Sequence, residues 1–264
     1  MGLAQFSHWS AALSITAAGA CASARCEAAD EIAVTPYRPT VSTPAALSAS
    51  GWIEVEMGLL NSNGGVPPDR ASAPYTIKLA FSDDWGVRIG GEFWVRDLGV
   101  NGRNVNGFGD TALVVKRRFA VNDQSAFGLE AGVMSPTSPA GLHAGSGGTD
   151  YGLNAIYSKD FAVAFHTDLN YSVTRLGLAT SGQSRELALW AAALSYAVNP
   201  QWGLTGELSG TQQSGAAPAR QLLLAGTYSP YKRVTWDFGF ARGMTVATPS
   251  WSIFAGCTFL ASRL

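Results

Sequence analysis

The sequence predicts an all-β fold: an up-and-down antiparallel transmembrane β-barrel of about twelve strands, set in an outer membrane. Three observations predict it. From Gly51 onward, apolar and polar residues alternate with period two. Short turns alternate with long loops rich in Gly, Ser, Asn and Pro. Charge is scarce: only 14% of the 264 residues are charged, 18 Lys+Arg against 19 Asp+Glu, while 47% are hydrophobic and the mean hydropathy is +0.09. A soluble domain carries roughly 25% charged residues. The net charge of -1 offers no basic excess for nucleic acid. The aromatic content argues against a disordered chain. Beyond the N-terminus no apolar run reaches the ~18 residues of a membrane helix.

Residues 1–24 contain no Asp, Glu, Lys or Arg, and Ala11–Ala20 has the length of a signal-peptide apolar core. Ala22-Ser23-Ala24 supplies small residues for cleavage, so 1–24 reads as a secretory signal peptide, although its start lacks the usual Lys or Arg. A small buried helix and a lipidated Cys21 are the alternatives. Residues 25–50, rich in Ala, Ser, Thr and Pro, read as an extended leader rather than a packed element. The barrel domain then occupies 51–264. Its expected strands are 51–60, 74–82, 86–97, 108–119, 125–134, 150–159, 161–175, 184–198, 201–212, 219–229, 232–243 and 250–262. The longest clean alternation places Phe161, Val163, Phe165, Leu169, Tyr171 and Val173 on one face. Residues 187–206 are uncharged, but Asn199-Pro200 breaks a helix there, so a strand, a turn and a strand fit better. Cys26 and Cys257 are far apart in sequence, and a bridge between them stays open.

Tight turns fall near 82–85, 121–124, 158–160, 199–201 and 229–232, with longer segments between them. An outer-membrane barrel predicts this: short periplasmic turns, longer outward loops, an even strand count and both termini on the periplasmic side. A soluble barrel of the lipocalin kind would show the same alternation with its apolar face inward. The secretory segment favours the membrane arrangement. So does the strand count, because twelve strands enclose more than one layer of side chains can fill. The polar face is also poor in charge, and Trp52, Tyr75, Phe81, Trp85, Trp202, Tyr231 and Trp251 lie near strand ends, as interface girdles would.

The block Gly107-Phe108-Gly109-Asp110-Thr111-Ala112-Leu113-Val114-Val115-Lys116 resembles the G-x-G-D…K strand of the outer-membrane transporter family named for a meta pathway of phenol degradation. Ala131–Thr137 is similar to that family's strand running into a Pro-Thr loop, and Gly147–Tyr151 to its next strand entry. Asp168–Tyr171 and Trp202–Glu207 resemble later strands. The pieces keep their order over 51–264. The chain departs from the pattern at Ser138, where Gly is commoner, and at its C-terminal Ser262-Arg263-Leu264, which lacks the usual final aromatic residue. The resemblance implies a barrel that passes small hydrophobic or aromatic compounds.

If the apolar face meets lipid, the polar face lines the lumen. The lumen-lining candidates are Glu54, Glu56, Lys78, Arg88, Glu92, Arg96, Asp110, Lys116, Arg118, Glu130, His166, Asp168, Glu207 and Asp237. Both signs occur, so they either select solutes or pair and fill the bore. His166 and Asp168 share a strand face, but Ser172 lies too far from Asp168 for a Ser-His-Asp relay, and His143 falls in a Gly-rich loop. No catalytic residue is expected. No metal site is expected either, since the three histidines are far apart. Gly145-Ser146-Gly147-Gly148 lacks the Lys and helix of a phosphate loop, and no cofactor is expected. The sequence therefore points to a passive outer-membrane channel for small solutes or, alternatively, a structural or surface-binding barrel with a plugged lumen. The expected partners are outer-membrane lipid, an unidentified small-molecule solute and the barrel-assembly machinery of a Gram-negative envelope, with no nucleic acid.

Overall fold

A computed structural model describes residues 32–64, 69–98, 104–139, 147–162 and 164–264. The secretory signal expected at 1–24, with Cys21, and Cys26, His143 and Val163 lie outside these residues. Thirteen strands follow in order: β1 Trp52–Asn63, β2 Asp69–Ala80, β3 Trp85–Leu98, β4 Asn104–Gly107, β5 Thr111–Asn122, β6 Ser125–Ser135 and β7 Asp150–Phe161. The second half comprises β8 Phe165–Arg175, β9 Glu186–Ala197, β10 Trp202–Gln213, β11 Ala219–Tyr231, β12 Val234–Gly243 and β13 Trp251–Arg263.

They make twelve staves, because β4 and β5 share one edge of β3. Val95–Leu98 pairs with β4, and Trp85–Gly90 with β5. At the break between them the Gly109 N–H donates to the Glu92 carbonyl at 2.8 Å. A Cβ on Gly91 would lie 2.6 Å from the Asp110 carbonyl oxygen, so the break needs a glycine opposite it. All neighbour pairs of strands, these included, are antiparallel, and β1 pairs with β13 to close the ring. Twelve strands spaced about 4.8 Å apart and tilted about 40° enclose a ring roughly 24 Å across.

The polarity is inverted relative to a soluble barrel. Phe165, Leu169, Tyr171 and Val173 of β8 are exposed, as are Leu222 and Leu224 of β11 and Trp236, Phe238 and Phe240 of β12. The same strands turn Asp168, Asn170, Thr235 and Asp237 inward, where they are buried. Apolar side chains outside and carboxylates inside fit a wall that faces lipid. The long-loop end carries 136–139, 147–149, 176–185, 214–218 and 244–250. The short turns and the start of β1 share the other end, where the Leu264 N–H donates to the Gly51 carbonyl at 2.9 Å. At this end the Arg117 guanidinium lies 5.1 Å from the Trp85 ring centre, and that of Arg233 lies 4.9 Å from Trp52. Tyr75 pairs with Met57 in mid-wall, so it is not part of a girdle.

Three boundaries differ from the sequence expectation. The strand expected at 161–175 starts at Phe165, because Phe161 ends β7 and pairs antiparallel with Phe165. Alternation continues through an odd-length turn, so its period hides the reversal. The strand expected at 74–82 begins at Asp69 and carries Pro74 inside it. Pro74 is tolerated because the β2–β3 register shifts there. The strand expected at 108–119 is β5, displaced by the Phe108–Asp110 break.

Candidate functional site

Residues 32–50 form no strand, but they are packed, contrary to the expectation of a loose leader. Tyr37, Ser42, Ala45 and Ser48 are buried. The segment enters at the short-turn end, where the Val34 N–H donates to the Lys232 carbonyl at 2.8 Å. It returns at Gly51, whose N–H donates to the Ala80 carbonyl at 2.8 Å. Between these points it touches strands all round the ring, including β1 and β8, which stand opposite each other in the twelve-stave order. A segment that reaches both walls lies in the bore.

An extended segment leaves its N–H groups unpaired, and the lumen supplies acceptors for them. The Thr35 N–H donates to Glu54 Oε2 at 3.0 Å. The Tyr37 and Arg38 N–H groups donate to the two Glu56 oxygens at 2.7 and 3.2 Å. Glu207 accepts from the Val41 N–H at 3.0 Å, the Ser42 N–H at 2.8 Å and the Ser42 hydroxyl at 2.7 Å. Asn170 Oδ1 accepts from the Thr43 N–H at 3.1 Å, and its Nδ2 donates to the Thr43 carbonyl at 2.9 Å. The Ala45 N–H donates to Ser158 Oγ at 2.7 Å. Arg38 forks onto Asp237, with Nε and Nη2 at 3.1 and 3.0 Å from its two oxygens. The wall beside that fork must be bare: a Cβ on Gly256 would lie 2.6 Å from Arg38 Nε.

Cations balance the carboxylates. Lys78 Nζ lies 2.6 Å from Glu54 Oε1 and 2.5 Å from Glu56 Oε1, and it donates to the Thr35 carbonyl at 2.6 Å. Glu130 is flanked by Arg88 at 3.2 Å and Lys116 at 3.4 Å, and Asn154 donates to it at 3.0 Å. Both lysines also crowd the Tyr37 ring, at 3.8 Å for Lys78 Nζ and 4.2 Å for Lys116 Nζ. Lys116 donates to the Pro44 carbonyl and, at 3.1 Å, to the Tyr37 hydroxyl, which itself donates to the Ala46 carbonyl at 3.0 Å. Burial foremost, then the nearby Glu130 carboxylate, holds the Tyr37 phenol well above its ordinary value, so it stays a neutral donor.

The remaining candidates fall elsewhere. Glu92 pairs with Arg70 at 2.5 Å, and Arg70 also reaches Asp97 at 2.8 Å, nearer the long loops. Arg96 is exposed on the outer wall. The shift at Pro74 moves β3 by one position, so buried Asp97 takes the inward place. Arg118 is half-buried near the short turns, its N–H donating to the Asp84 carbonyl at 2.8 Å. Asp110 is buried at the long-loop end and accepts from the Ser138 N–H at 2.9 Å, while the Thr137 hydroxyl donates to the Gly109 carbonyl at 3.0 Å. The Gly109-Asp110 turn and the Pro136–Ser138 loop thus clasp each other.

His166 Nε2 lies 3.0 Å and Nδ1 2.6 Å from Asp168 and Asp160, and the Ser158 hydroxyl donates to Asp168 at 2.5 Å. Sequence reasoning tested Ser172 here and missed Ser158, which the β7–β8 register brings opposite Asp168. The order differs from a Ser-His-Asp relay, because the carboxylate stands between serine and histidine and the imidazole does not touch the hydroxyl. Among the described residues no cluster of His, Cys, Asp and Glu fits a metal ion.

The plug divides the bore. A cavity of about 570 Å³ lies at the short-turn end, lined by Thr35, Arg38, His166, Ser195 and Thr205 among others. A second, of about 220 Å³, is lined by Val41 and Thr43 of the plug and by Arg88, Asn154, Ser172 and Thr174 of the wall.

No family model matches the chain, and no curated protein matches its sequence. Solved structures do match. The NanC porin in a rhombohedral crystal form aligns with a TM-score of 0.56 at 11% identity, covering 79% of this chain and 100% of the porin. The KdgM porin aligns at 0.55 and 11% identity, covering 79% and 99%. The same porin in complex with disordered oligogalacturonate gives 0.56 at 10% identity, again covering 79% and 99%. Likeness at such identity is one of fold, and the described chain has the fold and the apolar exterior of an outer-membrane porin.

Proposed function

We propose that the chain is a passive outer-membrane channel for small solutes whose bore is held closed by its own residues 34–48. The observation that carries this is the line of plug N–H groups received by Glu54, Glu56, Glu207, Asn170 and Ser158 from opposite walls. Solute would pass when the plug shifts away from the Glu207 side, joining the two cavities. The secretory segment, the lipid setting and delivery by the barrel-assembly machinery belong to this reading. Hydrophobic or aromatic compounds are the proposed solute class, supported by the ordered motifs of the phenol-degradation transporter family. A plugged structural barrel is the second reading, favoured by the charge lattice around Tyr37. Flux separates the two. In liposomes, Glu207→Gln should raise the uptake of a small phenol above that of the unsubstituted protein, and both should exceed empty vesicles. Uptake equal to empty vesicles for both proteins supports the structural barrel.

A further inference from the structure

The outer wall ends in arginine at the long-loop side of several strands. On β8 the exposed run Phe165, Leu169, Tyr171, Val173 is followed two positions later by Arg175. On β12, Trp236, Phe238 and Phe240 are followed by Arg242, and on β11 Leu224 and Leu222 lead to Arg220. Arg185 joins them at the rim, its carbonyl accepting from the Leu176 N–H at 2.7 Å. These four arginines lie between β8 and β12, and Arg96 stands on the opposite wall. All five are exposed, and none makes a side-chain ion pair among the described residues. The exposed acids at this end are Asp69, which is bonded to Asn63, and Glu186, the cross-strand neighbour of Arg175.

Height decides what such a collar meets. The eleven residues Phe165–Arg175 rise about 33 Å along the strand and roughly 25 Å along the barrel axis, the thickness of an outer-membrane apolar belt. The arginines therefore stand at the headgroup level of the leaflet on the long-loop side. No lysine of the chain lies there: Lys78 and Lys116 face the bore, and Lys159 and Lys232 lie by the short turns. An unpaired guanidinium above an apolar surface fits a phosphate ester whose acyl chains lie against that surface, because its planar fork binds two phosphate oxygens at once.

We infer that Arg175, Arg185, Arg220 and Arg242 form a binding collar for the phosphate groups of a phosphorylated glycolipid in the outward leaflet. This rests on the membrane placement of the barrel and not on solute passage. The test is native mass spectrometry of the full chain in detergent, titrated with a bis-phosphorylated acyl-glucosamine disaccharide and with its dephosphorylated form. The unsubstituted protein should retain the phosphorylated lipid about ten-fold better than the dephosphorylated one. R175Q/R220Q/R242Q should lose that preference, R220Q or R242Q alone should lose part of it, and K159Q/R263Q at the other rim should keep it. Heat-modifiable gel mobility reports folding, and the single substitutions decide the matter if the triple variant does not fold. Equal retention of the two lipids by the unsubstituted protein, or an undiminished preference in the arginine variants, overturns the collar. Neither result bears on phenol uptake, which tests the channel separately.

Discussion

The two halves of the inner wall hold the same plug by different means. From β1 to β6 the wall is a charge lattice, with Glu54, Glu56, Lys78, Arg88, Lys116 and Glu130 packed round the Tyr37 ring. That half also contains most of the ladder irregularities, at Ile53/Glu54, Ala73/Pro74, Phe108–Asp110 and Ala120/Asn122. From β7 to β11 the ladders run without a shift. The inner face there is built largely from small residues such as Ala191, Ala193 and Ser209, and the carboxylate that holds the plug there, Glu207, accepts three bonds from it with no lysine beside it. The lattice couples the plug to the stability of the barrel. The Glu207 side holds it through bonds that can open one by one. The difference marks Tyr37 as the anchored end of the plug and Val41–Thr43 as the releasable tip.

Substitutions sharpen the contrast. Lys78→Met should have the largest effect, because it leaves two buried carboxylates facing each other without their cation. A loss of about 3–5 kcal/mol is expected, read as a lower urea midpoint in heat-modifiable gel mobility. If Glu207→Ala lowers that midpoint equally, the two halves are not distinct. Glu207→Gln should instead leave the midpoint nearly unchanged and cost the plug tip about 2 kcal/mol of anchoring, seen as a higher open probability in single-channel recordings. Ser158→Ala removes one acceptor of the plug, the one that serves Ala45, and should cost about 1 kcal/mol, seen as faster amide exchange at Ala45 with little change at Tyr37.

The smallest effect concerns pH. The Tyr37 phenol is held above its ordinary value of about 10, so its contribution is fully present below that pH and is lost as pH rises through the raised native value. The stability of the unsubstituted protein should therefore decline more steeply above about pH 10 than that of Tyr37→Phe. Parallel alkaline profiles would remove Tyr37 from the lattice.

Much of the wall was legible in the sequence, because a two-residue period with one face in lipid leaves a plain trace. Strand number and the end at which the chain closes followed from turn lengths. Register slips did not. Pro74 looked like a strand boundary but lies inside β2, and the slip it imposes moved Arg96 outward and Asp97 inward. The β7–β8 turn was hidden because Phe161 and Phe165 keep the alternation going through it. The plug left no periodic signal, since an extended segment whose wall partners are 18 to 199 residues away has no local pattern. One signal was present: the inner face offered more carboxylates than a narrow bore could leave unpaired, and Tyr37-Arg38 stood just upstream of the first strand.

Amide hydrogen exchange of the full chain in liposomes tests the central claim most directly. If residues 34–48 fill the bore, the N–H groups of Tyr37, Val41, Ser42, Thr43 and Ala45 should exchange about a thousand-fold more slowly than in a free peptide, the protection given by ~4 kcal/mol of opening energy. Exchange of those amides at free-peptide rates, with the strands β1 and β8 protected, would contradict the account and leave an open bore.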